Sequence, residues 1–111
     1  MARVKRRKLT VDPAEGVTSW LWYSQPAGDI TTWLSKIDAG QAENDRFAET
    51  DAPETTLPEL DGKFDFAVCQ ADNVGNISDP ATFAAWTAVP LDTTPPAPAT
   101  GGKIVDVNAG G

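Results

Sequence analysis

The sequence predicts a small all-β sandwich of about seven strands. Three observations carry that expectation. Short runs rich in β-branched and aromatic residues recur along the chain, each closed by Pro, Gly, Asn or Asp. The side chains of Trp20, Trp22, Trp33, Phe47, Phe64, Phe66, Phe83 and Trp86 suffice to fill the space between two sheets. With 111 residues and 41% hydrophobic content, the chain has material for one core and no more.

Taken in order, Val4 to Asp12 alternates imperfectly and stops at Pro13, which predicts a first strand. Pro13-Ala14-Glu15-Gly16 is a turn. Val17 to Ser24 contains Thr18, Trp20, Trp22 and Tyr23 and is closed by Gln25-Pro26-Ala27-Gly28-Asp29. It predicts a central strand with Trp20 and Trp22 on one face. Ile30 to Ile37 is expected as a third strand, containing Trp33 and bounded by Asp38-Ala39-Gly40. Gln41 to Pro53 is polar and acidic apart from Phe47. It reads as a long surface connection, with a short helix around Gln41 to Phe47 as an option and Phe47 tucked back onto the core.

Glu54 to Leu60 predicts a short strand before the Asp61-Gly62 turn. Lys63 to Asp72 is the clearest strand in the chain, with Phe64, Phe66 and Val68 on one face. After the turn-rich tip Asp72-Asn73-Val74-Gly75-Asn76, Ala81 to Leu91 is expected to return as a strand carrying Phe83 and Trp86 and so to complete a hairpin. The organisation is then a sandwich over residues 1–91, a Pro-rich linker over 92–102, and a C-terminal β-strand with a flexible tail over 103–111.

Composition narrows the chemistry. There is no histidine and a single cysteine, Cys69, so the usual general base, the Cys/His nucleophilic pair and Cys/His zinc clusters are missing. An internal disulfide is excluded as well. Cys69 reads as a small strand residue. Paired carboxylates such as Asp61 and Asp65 have no visible nucleophile, acid or metal partner, so no enzyme and no cofactor is expected.

Arg3, Lys5, Arg6, Arg7 and Lys8 gather five of the nine basic residues at one end, against sixteen acidic residues in the chain. That pattern fits an edge strand kept soluble by Lys and Arg better than a nucleic-acid arm, because the acidic body repels phosphates. Met-Ala-Arg-Val-Lys-Arg-Arg-Lys leads into no apolar run of signal-peptide length, and no stretch has membrane-spanning length, so no membrane insertion is expected. The expected location is a virion or extracellular assembly reached without a signal peptide, and otherwise the cytoplasm.

Phe64-Asp65-Phe66-Ala67-Val68-Cys69-Gln70-Ala71-Asp72-Asn73-Val74-Gly75-Asn76 resembles strand F and the F–G turn of fibronectin type III domains of the bacterial and phage kind. There a Tyr-x-Phe-x-Val run usually leads into Asp-x-x-Gly-Asn. Val17-Thr18-Ser19-Trp20-Leu21-Trp22-Tyr23-Ser24 is similar to strand C, and Leu9-Thr10-Val11 to strand B. The resemblance covers residues 4–107 and implies an immunoglobulin-like sandwich. Phe64 departs from it by standing where the corner tyrosine is usual, and Pro13 stands near the position of the strand B tryptophan.

Only Met1 to Val4 precede the strand B pattern, too few for a strand A. Meanwhile Thr94-Pro95-Pro96-Ala97-Pro98, with Gly101-Gly102-Lys103-Ile104-Val105-Asp106-Val107 after it, looks like the linker and strand A of a following domain. The expectation is that the C-terminal segment supplies strand A, either in cis or to a neighbouring subunit. As polyproline, Asp92 to Gly102 spans about 34 Å, enough for cis closure over a strand of about 17 to 20 Å plus loops. Delivered to a neighbour's open edge, it would build a filament or ring.

Ile104, Val105, Val107, Leu9 and Val11 are the candidate assembly residues. The expected function is a non-enzymatic structural or assembly module, a subunit of a phage virion or bacterial surface fibre that associates with itself or with other subunits. The alternative is an adhesion or carbohydrate-binding module meeting a glycan or cell surface through Trp33, Trp86 and the F–G tip. Asp72, Asn73, Asn76 and Asp79 supply oxygen ligands there, but in no calcium-loop spacing, and turn chemistry accounts for them. No metal site is expected.

Overall fold

The longest strands lie where aromatic and β-branched residues are densest. The computed structural model describes residues 7–94 and 96–106. In it, β2 (Ser19–Pro26) and β5 (Gly62–Ala71) pair antiparallel from Ser19 opposite Ala71 to Pro26 opposite Phe64. β3 (Arg46–Thr50) flanks β2 and β6 (Val89–Leu91) flanks β5, giving one sheet in the order β3-β2-β5-β6. A second antiparallel pair joins β1 (Lys8–Thr10) to β4 (Glu54–Thr56), with Leu9 opposite Thr55. The fold is therefore all-β with little helix, and six strands stand among the described residues.

Neither β2 nor β5 alternates apolar with polar: Trp20-Leu21-Trp22-Tyr23 and Phe66-Ala67-Val68-Cys69 are buried throughout. A strand buried on every residue has both faces covered. On one face, Trp20, Trp22, Phe66 and Val68 meet Leu9 of β1 together with Trp86 and Leu91, so the two sheets share a core. Half-buried Phe47 packs against that core, as expected, with its ring edge-on to Phe66 at 5.9 Å. On the other face, Leu21, Tyr23, Ala67 and Cys69 lie under Trp33, Ile37 and Ala42.

The cover over that second face corrects the expected third strand, because Ile30–Asp38 is an α-helix, α1. Its apolar residues Ile30, Trp33, Leu34 and Ile37 fall at helical spacing, and two of them are buried against the sheet. Asp29 caps the start, accepting from Thr32 N–H at 3.1 Å and from the Thr32 hydroxyl at 2.8 Å. Gly40, at φ 71°, ends it: Gly40 N–H donates to Ile37 O and Gln41 N–H to Lys36 O, the paired bonds of a Schellman stop. Four β-branched residues suggest a strand, but the caps and the buried stripe decide for helix.

Three further expectations are revised. Gln41 to Pro53 contains a 3-10 turn at Glu43–Asp45, where a short helix was an option, but then a true strand, β3. The strand expected over Glu54 to Leu60 stops at Thr56. Ala81 to Leu91 is not one returning strand: a single bridge at Ala81, a 3-10 turn at Ala84–Trp86 and the short β6 replace it. Of the first strand, Lys8–Thr10 is seen, and Val4 to Arg6 lie outside the described residues.

Asp65 explains where that return path bends. Its carboxylate is 2% exposed and accepts hydrogen bonds from Gln25 Nε2 at 2.9 Å, Gly28 N–H at 3.0 Å and Ala88 N–H at 2.8 Å. It ties β5 to the end of β2, to the lead-in of α1 and to the residue before β6. Ala88 sits at φ 50°, a left-handed conformation uncommon for a residue with a Cβ, and the bond to Asp65 helps hold it there. Cys69, buried under α1, has its thiol pushed up to about 11, by burial first and nearby carboxylates second.

Hydrogen bonds to charged groups contribute about 1.5–3 kcal/mol each, but Gly28 and Ala88 can regain water. Asp65→Ala is therefore expected to lower unfolding stability by about 3 kcal/mol, and Asp65→Asn, which keeps one acceptor oxygen, by roughly half as much. Urea denaturation followed by tryptophan fluorescence measures both.

Candidate functional site

The chain leaves the sheet at β6 and is held for a few residues more. Asp61 accepts from Thr93 N–H at 2.6 Å and from its hydroxyl at 3.0 Å, and Asp92 accepts from Thr94 N–H at 2.7 Å. The Thr93 amide and hydroxyl hold the Asp61 carboxyl below its ordinary value. Beyond this clasp, residues 96–106 are all exposed and enter no regular element. The radius of gyration is 19.7 Å, where a compact chain of this length has about 13 Å. The described tail residues are therefore not packed against the sheets.

Along that tail Ile104 is 96% exposed and Val105 72% exposed. The strand expected over 103–107 is absent from Lys103–Asp106, and Val107 lies outside the described residues. A single extended segment has no ladder partner of its own, so without a sheet edge it has no reason to become a strand.

An edge of that kind is present at β1. Val11 N–H donates to Pro53 O at 3.0 Å and Leu57 N–H donates to Arg7 O at 2.9 Å. Because antiparallel bonding alternates, Arg7, Leu9 and Val11 turn their backbone toward β4, and Lys8 and Thr10 turn theirs the other way. Among the described residues no strand pairs with that outer side. Leu9, expected as an assembly contact, has its side chain 5% exposed in the core, so only the backbone beside it is open to a partner. Val11 is half-buried.

Just past the end of this edge lies a cleft of about 510 Å³, between Val11–Asp12, which follow β1, and β5 with the segment leading from its tip. Val11, Val68, Ala81 and Phe83 supply its apolar wall, and Asp12 and Asp79 its acidic end. At the opposite end of β1, Arg7 Nη2 donates to Pro90 O at 3.1 Å, which places the start of β1 close to the point where the tail departs. Sequence reasoning missed the cleft and the Asp61–Thr93 clasp. The cleft needs tertiary packing to exist, whereas the clasp had a faint signal in an aspartate next to a turn glycine.

The tryptophans meant for a ligand platform are not exposed. Trp33, 3% exposed in α1, donates its Nε1–H to Asp45 at 3.0 Å, and Trp86, 8% exposed, packs on Trp22 and edge-on to Phe83. Trp20 and Trp22 are in the core as expected. At the β5 tip, the Asp72 carboxylate is taken up by Val74 N–H, Asn76 N–H and the Asn76 amide, and these bonds lower its pKa, with those from Asn76 the largest cause. Among the described residues no group of three or more metal-ligating side chains gathers.

Acrylamide is expected to quench the native fluorescence only weakly, rising to the free-indole level on unfolding, since Trp20, Trp22, Trp33 and Trp86 are all buried. The clasp has a defined pH response. A lowered folded pKa means that Asp61 contributes stability above its ordinary value of 3.8 and loses that contribution as pH falls through the lower folded value. Protection of the Thr93 amide, followed by NMR, should persist at neutral pH and disappear only in acid.

Compared with protein-family models, curated proteins and solved structures, the chain matches none of them.

Proposed function

We propose that this chain is a non-enzymatic assembly module: a fibronectin type III-like, immunoglobulin-like sandwich whose C-terminal segment pairs with another subunit. The strand order supports the family reading. Taking β1 as B, β2 as C, β3 as C′, β4 as E, β5 as F and β6 as G, the pairings B–E and C′–C–F–G agree with that fold. The place beside B, which strand A takes in the family, is the open side of β1. Phe64, at the position of the corner tyrosine, is half-buried against the shared core, so its ring supplies bulk without the hydroxyl.

One observation carries the assembly reading. Exposed Ile104 and Val105 sit on a tail whose described residues are not packed against the sheets, while the outer edge of β1 has no partner among the described residues. Strand addition joins two such surfaces through main-chain hydrogen bonds and alternate side chains. When donor and acceptor lie on different parts of one chain, the contact is head-to-tail and propagates to a fibre or closes to a ring. A subunit of a phage virion or a bacterial surface assembly is the setting we favour. The pair of carboxylates weighed for catalysis is engaged within the fold, Asp65 by three internal donors and Asp61 by Thr93.

Light scattering across a concentration series should give growing mass for the full chain and a constant monomer mass for a truncation ending at Thr94. The full-length variant Ile104→Asp with Val105→Asp should behave like the truncation. Monomers for all three at every concentration would reject this function.

A further inference from the structure

The direction in which a donor strand must run is written in the charges at the two ends of β1. Lys103 precedes Ile104 and Val105, and Asp106 follows them. The cleft offers exposed Asp12 and Asp79 at the end where β1 finishes, and exposed Arg7 and Lys8 stand where β1 begins. A segment running antiparallel to β1 sets Lys103 against the two carboxylates and Asp106 against Arg7 and against Lys8, whose ammonium is also ion-paired with Glu54. A parallel segment sets like against like at both ends, which is unfavourable across an interface.

Topology gives the same direction a second meaning. β6 runs toward the Gly62 end of β5, because Leu91 is opposite Gly62 and Val89 opposite Phe64. Arg7 reaches Pro90, so β1 starts at that end, and Val11 and Asp12 line the cleft with Gln70 at the far end. A strand antiparallel to β1 therefore travels the same way as β6, from whose end the tail departs. To fill its own cleft, the tail would first have to retrace the length of the sandwich. Filling the cleft of the next molecule requires no reversal.

We propose that the acceptor is the open edge of β1 together with the cleft just past its end, and that Lys103–Asp106 of one copy adds to the next copy antiparallel to β1, with Lys103 beside Asp12 and Asp79. This rests on the tail acting as a donor strand. The occupant is a second copy of this chain, and the backbone groups of Lys8 and Thr10 receive it. The contact is then head-to-tail, so the assembly is a polar fibre or a ring rather than a two-fold dimer. Lys8 on the short edge strand discourages pairing with unmatched strands, and the charge pattern selects the matched one.

Charge reversal in the full chain tests both place and polarity. Lys103→Glu is expected to weaken association about fivefold at low salt, with Asp12→Lys plus Asp79→Lys weakening it comparably and the triple variant restoring it. Circular dichroism should show an intact fold for each, since all three sites are exposed. Stronger association of Lys103→Glu would overturn the polarity, because that result needs Arg7 and Lys8 as its neighbours. No effect from any of these variants, with Ile104→Asp plus Val105→Asp still abolishing assembly, would overturn the cleft as acceptor and leave strand donation standing. If the tail variant also assembles normally, strand donation itself fails.

Discussion

The buried Asp65 carboxylate is the point on which the rest of the architecture turns. It sits on β5, the strand paired to both β2 and β6, and its oxygens hold the end of β2, the lead-in to α1 and Ala88. A carboxylate taken out of water this far needs hydrogen-bond donors in place of water, and three converge on it. Ala88 is the consequence that matters for function. Its left-handed turn aims Val89–Leu91 along β5, and the direction of β6 sets the end of the molecule from which the tail departs.

Around that anchor, the larger sheet is covered twice. The shared core holds the smaller sheet on one face, and α1 covers the other through Trp33 and Ile37. Both buried clusters are built from residues of the strands, α1 and their loops, and none of the described tail residues joins them. The tail is therefore free to serve a contact outside its own body. Under the proposed strand donation, exposed Ile104 and Val105 are the side chains that a neighbour's sheet edge would cover.

Much of this was legible in the sequence, and unevenly so. The strands β2 and β5 were plain because their β-forming runs are long and end in clear turn residues. Trp20, Trp22, Phe64, Phe66 and Val68 sharing a face followed from period two. Ile30 to Ile37, expected as a strand, is a helix, and its alternation was already weak. The i, i+3, i+4, i+7 pattern of Ile30, Trp33, Leu34 and Ile37, with Asp29 before and Gly40 after, was the better signal. The same misreading left Trp33 as a ligand-site candidate, since a residue on a helix laid over a sheet is hidden in a way a strand reading does not foresee. The return path from Ala81 to Leu91 could not be read, because its bend depends on a carboxylate more than twenty positions away. The cleft, made by the residues after β1, by β5 and by the segment beyond it, likewise has no local signature.

The most direct measurement is amide hydrogen exchange, residue by residue, on the full chain at low and at high concentration. Strand donation between copies predicts that the amides of Lys8 and Thr10 exchange freely in dilute solution and become protected on concentration, together with amides of the Ile104–Asp106 segment. Amides at both places exchanging at the unprotected rate at every concentration would contradict it.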